Sequence, residues 1–150
     1  MMGAILSEEI LKQYQDLCQK ADLFLEQHQA NEAIEEYQKA LAVLPEGIWS
    51  CSSYAYTGIG EAYQLLNDYH HALEAFINSY LDDQQFNPYI LMNIGICYEE
   101  IGDHKRGLYF LKKAYDIDQR VFEGLDKYKK HVIKFITCFF VDKIDIIFMS

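Results

Sequence analysis

Apolar positions recur along most of this chain at intervals of three and four, the spacing that lines up one face of an α-helix. Ala33, Tyr37 and Ala40 step by four and then three, so a small, a large and a small residue share a face. The same steps return at Ala72, Phe76 and Ser79, and again at Gly107, Leu111 and Ala114. Upstream of each triad stands a small residue with an aromatic three positions later: Ala21 with Phe24, Gly60 with Tyr63, Gly95 with Tyr98. With Pro45, Gly47 and Asn87-Pro88 as breaks, the pattern predicts helices over residues 8–27, 31–44, 52–66, 69–82, 88–100 and 104–118. Ser7 is the expected N-cap of the first, with Glu8 and Glu9 in its opening turn. A seventh helix is predicted to begin near Val121. Leu125, Tyr128, Val132 and Phe135 or Ile136 form its apolar side, and Lys127, Lys129, Lys130 and Lys134 take the others. From Phe139 to Met149 two apolar, β-prone runs part near Asp142 and Lys143, which allows a short hairpin. That segment is expected to pack back on the helices, because left exposed it would aggregate.

The three small residues Ala21, Gly60 and Gly95 lie 39 and 35 residues apart, a little over the roughly 34 of one helix-turn-helix unit. The extra residues fit linkers around Gly47 and Trp49 and around Phe86 to Pro88. A small residue on the first helix admits the second closely, and the aromatic one turn on fills the space beyond the contact. Across about residues 14–121 the chain therefore resembles the tetratricopeptide repeat family, with Leu17, Tyr56 and Leu91 where the family usually has Trp, and Pro45 as its closing proline. The resemblance implies an all-α fold, a right-handed superhelix of antiparallel helix pairs. Its repeats would cover about 14–47, 53–86 and 88–121, with a cap and apolar tail over 122–150, in a single domain spanning 1–150. The cap is needed because an open-ended stack leaves its last apolar face uncovered.

The composition agrees with helices. Two prolines and eight glycines in 150 residues give too little punctuation for a sandwich or barrel, and 51% apolar residues exclude disorder. Cys18, Cys51, Cys97 and Cys138 have neither disulfide-framework nor zinc spacing and read as reduced apolar fillers. Met1 to Leu6 lacks the features of a secretory signal, and Lys134, Asp142, Lys143 and Asp145 cut the apolar tail below membrane-spanning length. The expectation is a cytoplasmic protein with no membrane partner.

The sequence carries no G-x-S-x-G, no phosphate-binding glycine loop and no H-E-x-x-H. His70 and His71 with Asp68 fall in a predicted turn, where solvated polar residues belong, and Glu99 and Glu100 read as a solvated helix end. No catalytic, cofactor or metal site is expected, and the protein reads as a non-enzyme. Charge is the more telling signal. The net charge is −10, which argues against nucleic acid. Residues 40–104 hold nine acids and no Lys or Arg, whereas residues 105–134 hold nine Lys and Arg against four acids. Such a field speeds encounter with a basic partner at low salt.

In tetratricopeptide proteins the first helices of successive repeats line a concave groove. By position, the resemblance implies a groove of Gln15, Gln19 and Asp22, then Tyr54, Thr57, Glu61 and Gln64, then Tyr89, Met92, Asn93 and Ile96. The cations with which some members clamp the terminal carboxylate of heat-shock chaperones are absent here, with Asn93 alone present. An acidic, aromatic groove suits a basic protein or peptide, through charge pairing and cation–π contact. A bacterial immunity protein or a secretion chaperone would have this character. Such a module would be a monomer or a weak homodimer through the C-terminal segment; the alternative is a structural protein that self-associates through that apolar segment.

Overall fold

The computed structural model describes residues 5–83 and 86–148, the last ten of them by backbone alone. The elements are α1 (Glu8–Glu26), α2 (Ala30–Val43), α3 (Ser52–Leu65), α4 (Tyr69–Asp83), α5 (Pro88–Ile101), α6 (His104–Ile117), a 3₁₀ turn (Gln119–Phe122) and α7 (Asp126–Phe148). No strand occurs among the described residues. The Ser7 hydroxyl accepts from the Ile10 N–H and caps α1, Asn87 caps α5 ahead of Pro88, and Asp103 caps α6. The chain, expected as a single domain, parts at the Asn87-Pro88 break into two compact units. One ends at Phe86 and holds α1–α4; the other begins at Asn87 and holds α5–α7. None of the expected repeats straddles that boundary.

The three helix pairs turn in the same way. His28, Asn67 and Gly102 each take a positive φ, of 57°, 56° and 97°, and each lies seven residues after its pair's small residue. The next residue's N–H then reaches back to the aromatic's carbonyl: Gln29 to Phe24, Asp68 to Tyr63 and Asp103 to Tyr98, all at 2.9 Å. This closure satisfies carbonyls that the helix end would otherwise orphan. Only the third turn uses glycine, so the first two are hard to see in composition.

Within the pairs the small residues do what their spacing implies. A Cβ placed on Gly60 would lie 2.7 Å from the Phe76 ring, and one on Gly95 would lie 2.7 Å from Leu111 Cγ. Tyr37, Phe76 and Leu111 are buried, as are the small residues that flank each of them. Gly58, which the repeat pattern does not single out, serves the next contact. The Tyr37 ring of α2 presses so closely on its Cα that no side chain fits there, and this joins the first pair to the second.

In the C-terminal unit the covering residues are Phe122 of the 3₁₀ turn and Val132 of α7, both fully buried, with Phe122 edge-on to Tyr115. The 3₁₀ turn delays α7 to Asp126, five residues after its predicted start. Phe135 does not join the apolar side and is 42% exposed. The hairpin that the pattern allows is not formed: the backbone from Asp126 to Phe148 is one helix. The packing of side chains from Phe139 onward, and all of Met149, lie outside the described residues. Cys18 and Cys97 are buried fillers, but Cys51 is half-buried and Cys138 is exposed.

Candidate functional site

In the N-terminal unit, α1 and α3 flank a cleft of about 470 Å³ whose lining includes Gln15, Gln19 and Asp22 from α1 and Tyr54 from α3. Tyr14 sets its depth. The buried Tyr14 hydroxyl donates to the Cys51 carbonyl at 2.5 Å and accepts from the Ala55 N–H at 3.3 Å, tying α1 to the start of α3. Asp22 forms the charged end. One carboxylate oxygen accepts from the Tyr37 hydroxyl at 2.5 Å and the other from the Tyr54 hydroxyl at 2.7 Å. Three helices thus fix this carboxylate in place. The Asp22 hydrogen bond, with burial and the nearby Glu61 charge adding to it, pushes the Tyr54 phenol up to about 12. Burial and the same carboxylate raise Tyr37 further. Both rings are therefore neutral donors at physiological pH and leave the negative charge on Asp22. Burial also pushes the Cys18 thiol up to about 11, so the cleft wall presents a thiol and not a nucleophilic thiolate.

The remaining acid–histidine groups have structural partners. Asp68 accepts from the His71 N–H and from its ring at 2.7 Å, capping α4 while His71 stacks on Tyr63. No group of three ligand-type residues among the described residues could hold a metal ion. Glu99 is not the solvated helix end expected of it. Its side chain is 7% exposed, packs on Gly107, and takes His104 at 2.9 Å and His131 at 3.4 Å on one oxygen. Glu100 accepts from Lys127 at 2.8 Å and from Tyr128 at 2.5 Å. His104 is five positions from Glu99, but Lys127, Tyr128 and His131 lie about 30 positions from the acids they meet, which hides those contacts in the sequence.

The Lys127 and then the Tyr128 hydrogen bonds hold the Glu100 carboxyl below the usual range. A depressed folded-state value means stability that is present above the unfolded value of about 4.3 and lost as pH falls through the folded value. Thermal melts from neutral pH downward should show the C-terminal unit losing stability below about pH 4.3, and Glu100→Gln should flatten that dependence. An unchanged acid limb in the variant would show that this contact does not hold α7.

No protein-family model and no curated protein matches this sequence. Solved structures do. The crystal structure of MamA superimposes with a TM-score of 0.63 at 18% identity, covering 81% of this chain and 77% of that one. The first TPR of Spaghetti (RPAP3), bound to the HSP90 peptide SRMEEVD, superimposes with a TM-score of 0.66 at 14% identity, covering 81% and 94%. The chain has the tetratricopeptide fold.

On the tetratricopeptide fold the positions expected along the groove separate into three sets. Gln15, Gln19, Asp22 and Tyr54 meet in the α1–α3 cleft. Thr57 turns toward α4, where its hydroxyl lies 2.7 Å from that of the buried Ser79, and further along α3 Glu61 and Gln64 are half-buried. Met92, Asn93 and Ile96 are not on an open surface at all: α5 is buried at every position from Ile90 to Cys97, and the Asn93 amide donates to the Tyr89 carbonyl. Tyr89 is 39% exposed at the start of that helix. The sequence signal for this burial was present, since Ile90, Leu91, Met92, Ile94, Ile96 and Cys97 leave no polar stripe. What sequence could not place is Tyr14 and Tyr37, which shape and charge-fix the cleft from positions that read as ordinary core.

Among the described residues no helix is long and apolar enough to cross a membrane.

Proposed function

We propose that the protein is a non-enzymatic binding module whose α1–α3 cleft takes a basic side chain of a protein or peptide partner. The observation that carries this reading is the Asp22 carboxylate, held at the cleft wall by two neutral tyrosyl hydroxyls, with no Lys or Arg among the described lining residues. A guanidinium entering there meets a fixed charge and the face of Tyr54, which is 56% exposed. Positioning the acid in advance spares the partner the cost of ordering it. Within the same unit, residues 40–86 hold six acids and no Lys or Arg, which adds a long-range pull. The HSP90 peptide on the RPAP3 domain supports peptide binding as a use of this fold; the charge of the cleft here favours a ligand of the opposite sign. Neutralising a basic toxin domain as an immunity protein, or shielding a basic secreted protein as a chaperone, are roles that such a cleft would serve.

Affinity capture at low salt followed by mass spectrometry is expected to return basic partners. With the captured partner, Tyr54→Ala should speed dissociation and cost about 2 kcal/mol, as loss of an aromatic anchor does. Glu61→Lys should chiefly slow association, and its effect should shrink as rising salt shortens the Debye length below about 8–10 Å. An acidic partner, or a basic one indifferent to both changes, would overturn the reading.

A further inference from the structure

The C-terminal unit carries a second cleft, of opposite charge. On α6 the residues Gly107, Leu111 and Ala114 are buried; the far side of the same helix is not covered in this way. There Leu108 and Tyr109, with Phe135 of α7, make an apolar floor, and Lys105, Lys112 and Lys113 stand around it, enclosing about 750 Å³. Tyr109 is 60% exposed and Phe135 42%. Large apolar side chains left in water cost free energy that a docked group would recover. Among the described lining residues the acid is Asp116, and Lys112 already pairs with it at 2.7 Å. Lys113 lies 5.8 Å from the centre of the Tyr109 ring, and Lys105 meets no acidic side chain among the described residues. The surrounding residues 105–134 carry a net charge of +5, nine Lys and Arg less four acids.

We propose that this α6–α7 cleft is a second docking site, for an acidic protein segment that carries a bulky apolar side chain. Charge complementarity selects the acid: a carboxylate beside the anchor would pair with Lys105, within the cationic field of Lys112 and Lys113. The concave apolar floor selects the anchor, because one or two large side chains fill a volume of this size. It also separates a peptide from a lipid surface, which needs a protruding or flat amphipathic face and not a recess. The site is independent of the α1–α3 cleft in both position and ligand charge.

The test uses a fluorescein-labelled peptide in which Asp and Glu residues flank a Leu-Phe pair, a matched peptide with Lys in their place, and vesicles of mixed phosphatidylcholine and phosphatidylserine. Fluorescence anisotropy with the full chain should show the acidic peptide bound at least tenfold more tightly than the basic one at low salt. The double change Lys105→Glu with Lys113→Glu should weaken it at least tenfold, less so at high salt. Tyr109→Ala should weaken it at every salt concentration, because it removes the floor and not the charge. All three positions are at or near the surface, and circular dichroism confirms that the variants fold. Equal binding of the two peptides, or acidic-peptide binding that both variants leave unchanged, overturns the proposal. So does binding to the anionic vesicles that the variants abolish while the peptide fails to bind.

Discussion

Replacing Gly95 by leucine is expected to destabilise the C-terminal unit by about 1–3 kcal/mol, the cost of forcing atoms into a packed contact. The effect should lie at the upper end of that range because of what the new side chain meets. A Cβ at this position would stand 2.7 Å from Leu111 Cγ, 2.9 Å from the Leu111 amide nitrogen and 3.0 Å from the Gly107 carbonyl oxygen. A side-chain carbon can rotate away; two backbone atoms of α6 cannot, so the helices must separate. Separation would also loosen Glu99 from Gly107 and Leu111 from its fully buried site. Gly95→Ala should give a smaller loss of the same sign. Urea unfolding followed by circular dichroism measures both, and a wild-type midpoint for Gly95→Leu would show that α5 and α6 do not meet at this pair.

The sequence exposed this contact because it repeats. Gly95 with Leu111 has the spacing of Gly60 with Phe76, and a triad at three places cannot be an accident of one helix. Boundaries were legible for a different reason: Pro45, Gly47 and Asn87-Pro88 break helices by backbone geometry that does not depend on the rest of the fold. The cleft was legible only in part. Helix register puts Gln15, Gln19 and Asp22 on one face of α1, and the resemblance to the repeat family brought Tyr54 of α3 beside them. The donors that fix Asp22 could not be placed in this way, because Tyr37 is 15 residues away and reads as core, where it also belongs. Met92, Asn93 and Ile96 were misplaced for a converse reason: position in the repeat says which way a residue faces, and says nothing of whether that face is covered. The hairpin that the pattern allows from Phe139 does not form, since β-branched and aromatic residues in a short run also continue a helix that is already nucleated. The cationic cleft on α6 was visible as a charge excess over residues 105–134 but not as a recess, which depends on how α7 lies beside α6.

Phe76→Ala is expected to cost about 3–5 kcal/mol, because it removes a fully buried ring. The size of the loss alone would not establish the register, since any buried phenylalanine behaves in this way. The discriminating measurement is a double-mutant cycle with Gly60, whose added Cβ would lie 2.7–2.8 Å from three atoms of that ring. In the wild-type background Gly60→Ala should destabilise, because the ring has no room to retreat. In the Phe76→Ala background the same methyl enters the space that the ring has left, so it should be neutral or stabilising, with a coupling of about 0.5–3 kcal/mol. Simple additivity would mean that Phe76 packs elsewhere. The consequence reaches the cleft. Gly60 and Phe76 set how closely α3 lies on α4, and Tyr54 stands on α3 six residues before Gly60. A change in that approach moves the phenol that donates to Asp22. Phe76→Ala should therefore also weaken binding of a basic partner, and Gly60→Ala in that background should recover part of the affinity together with part of the stability.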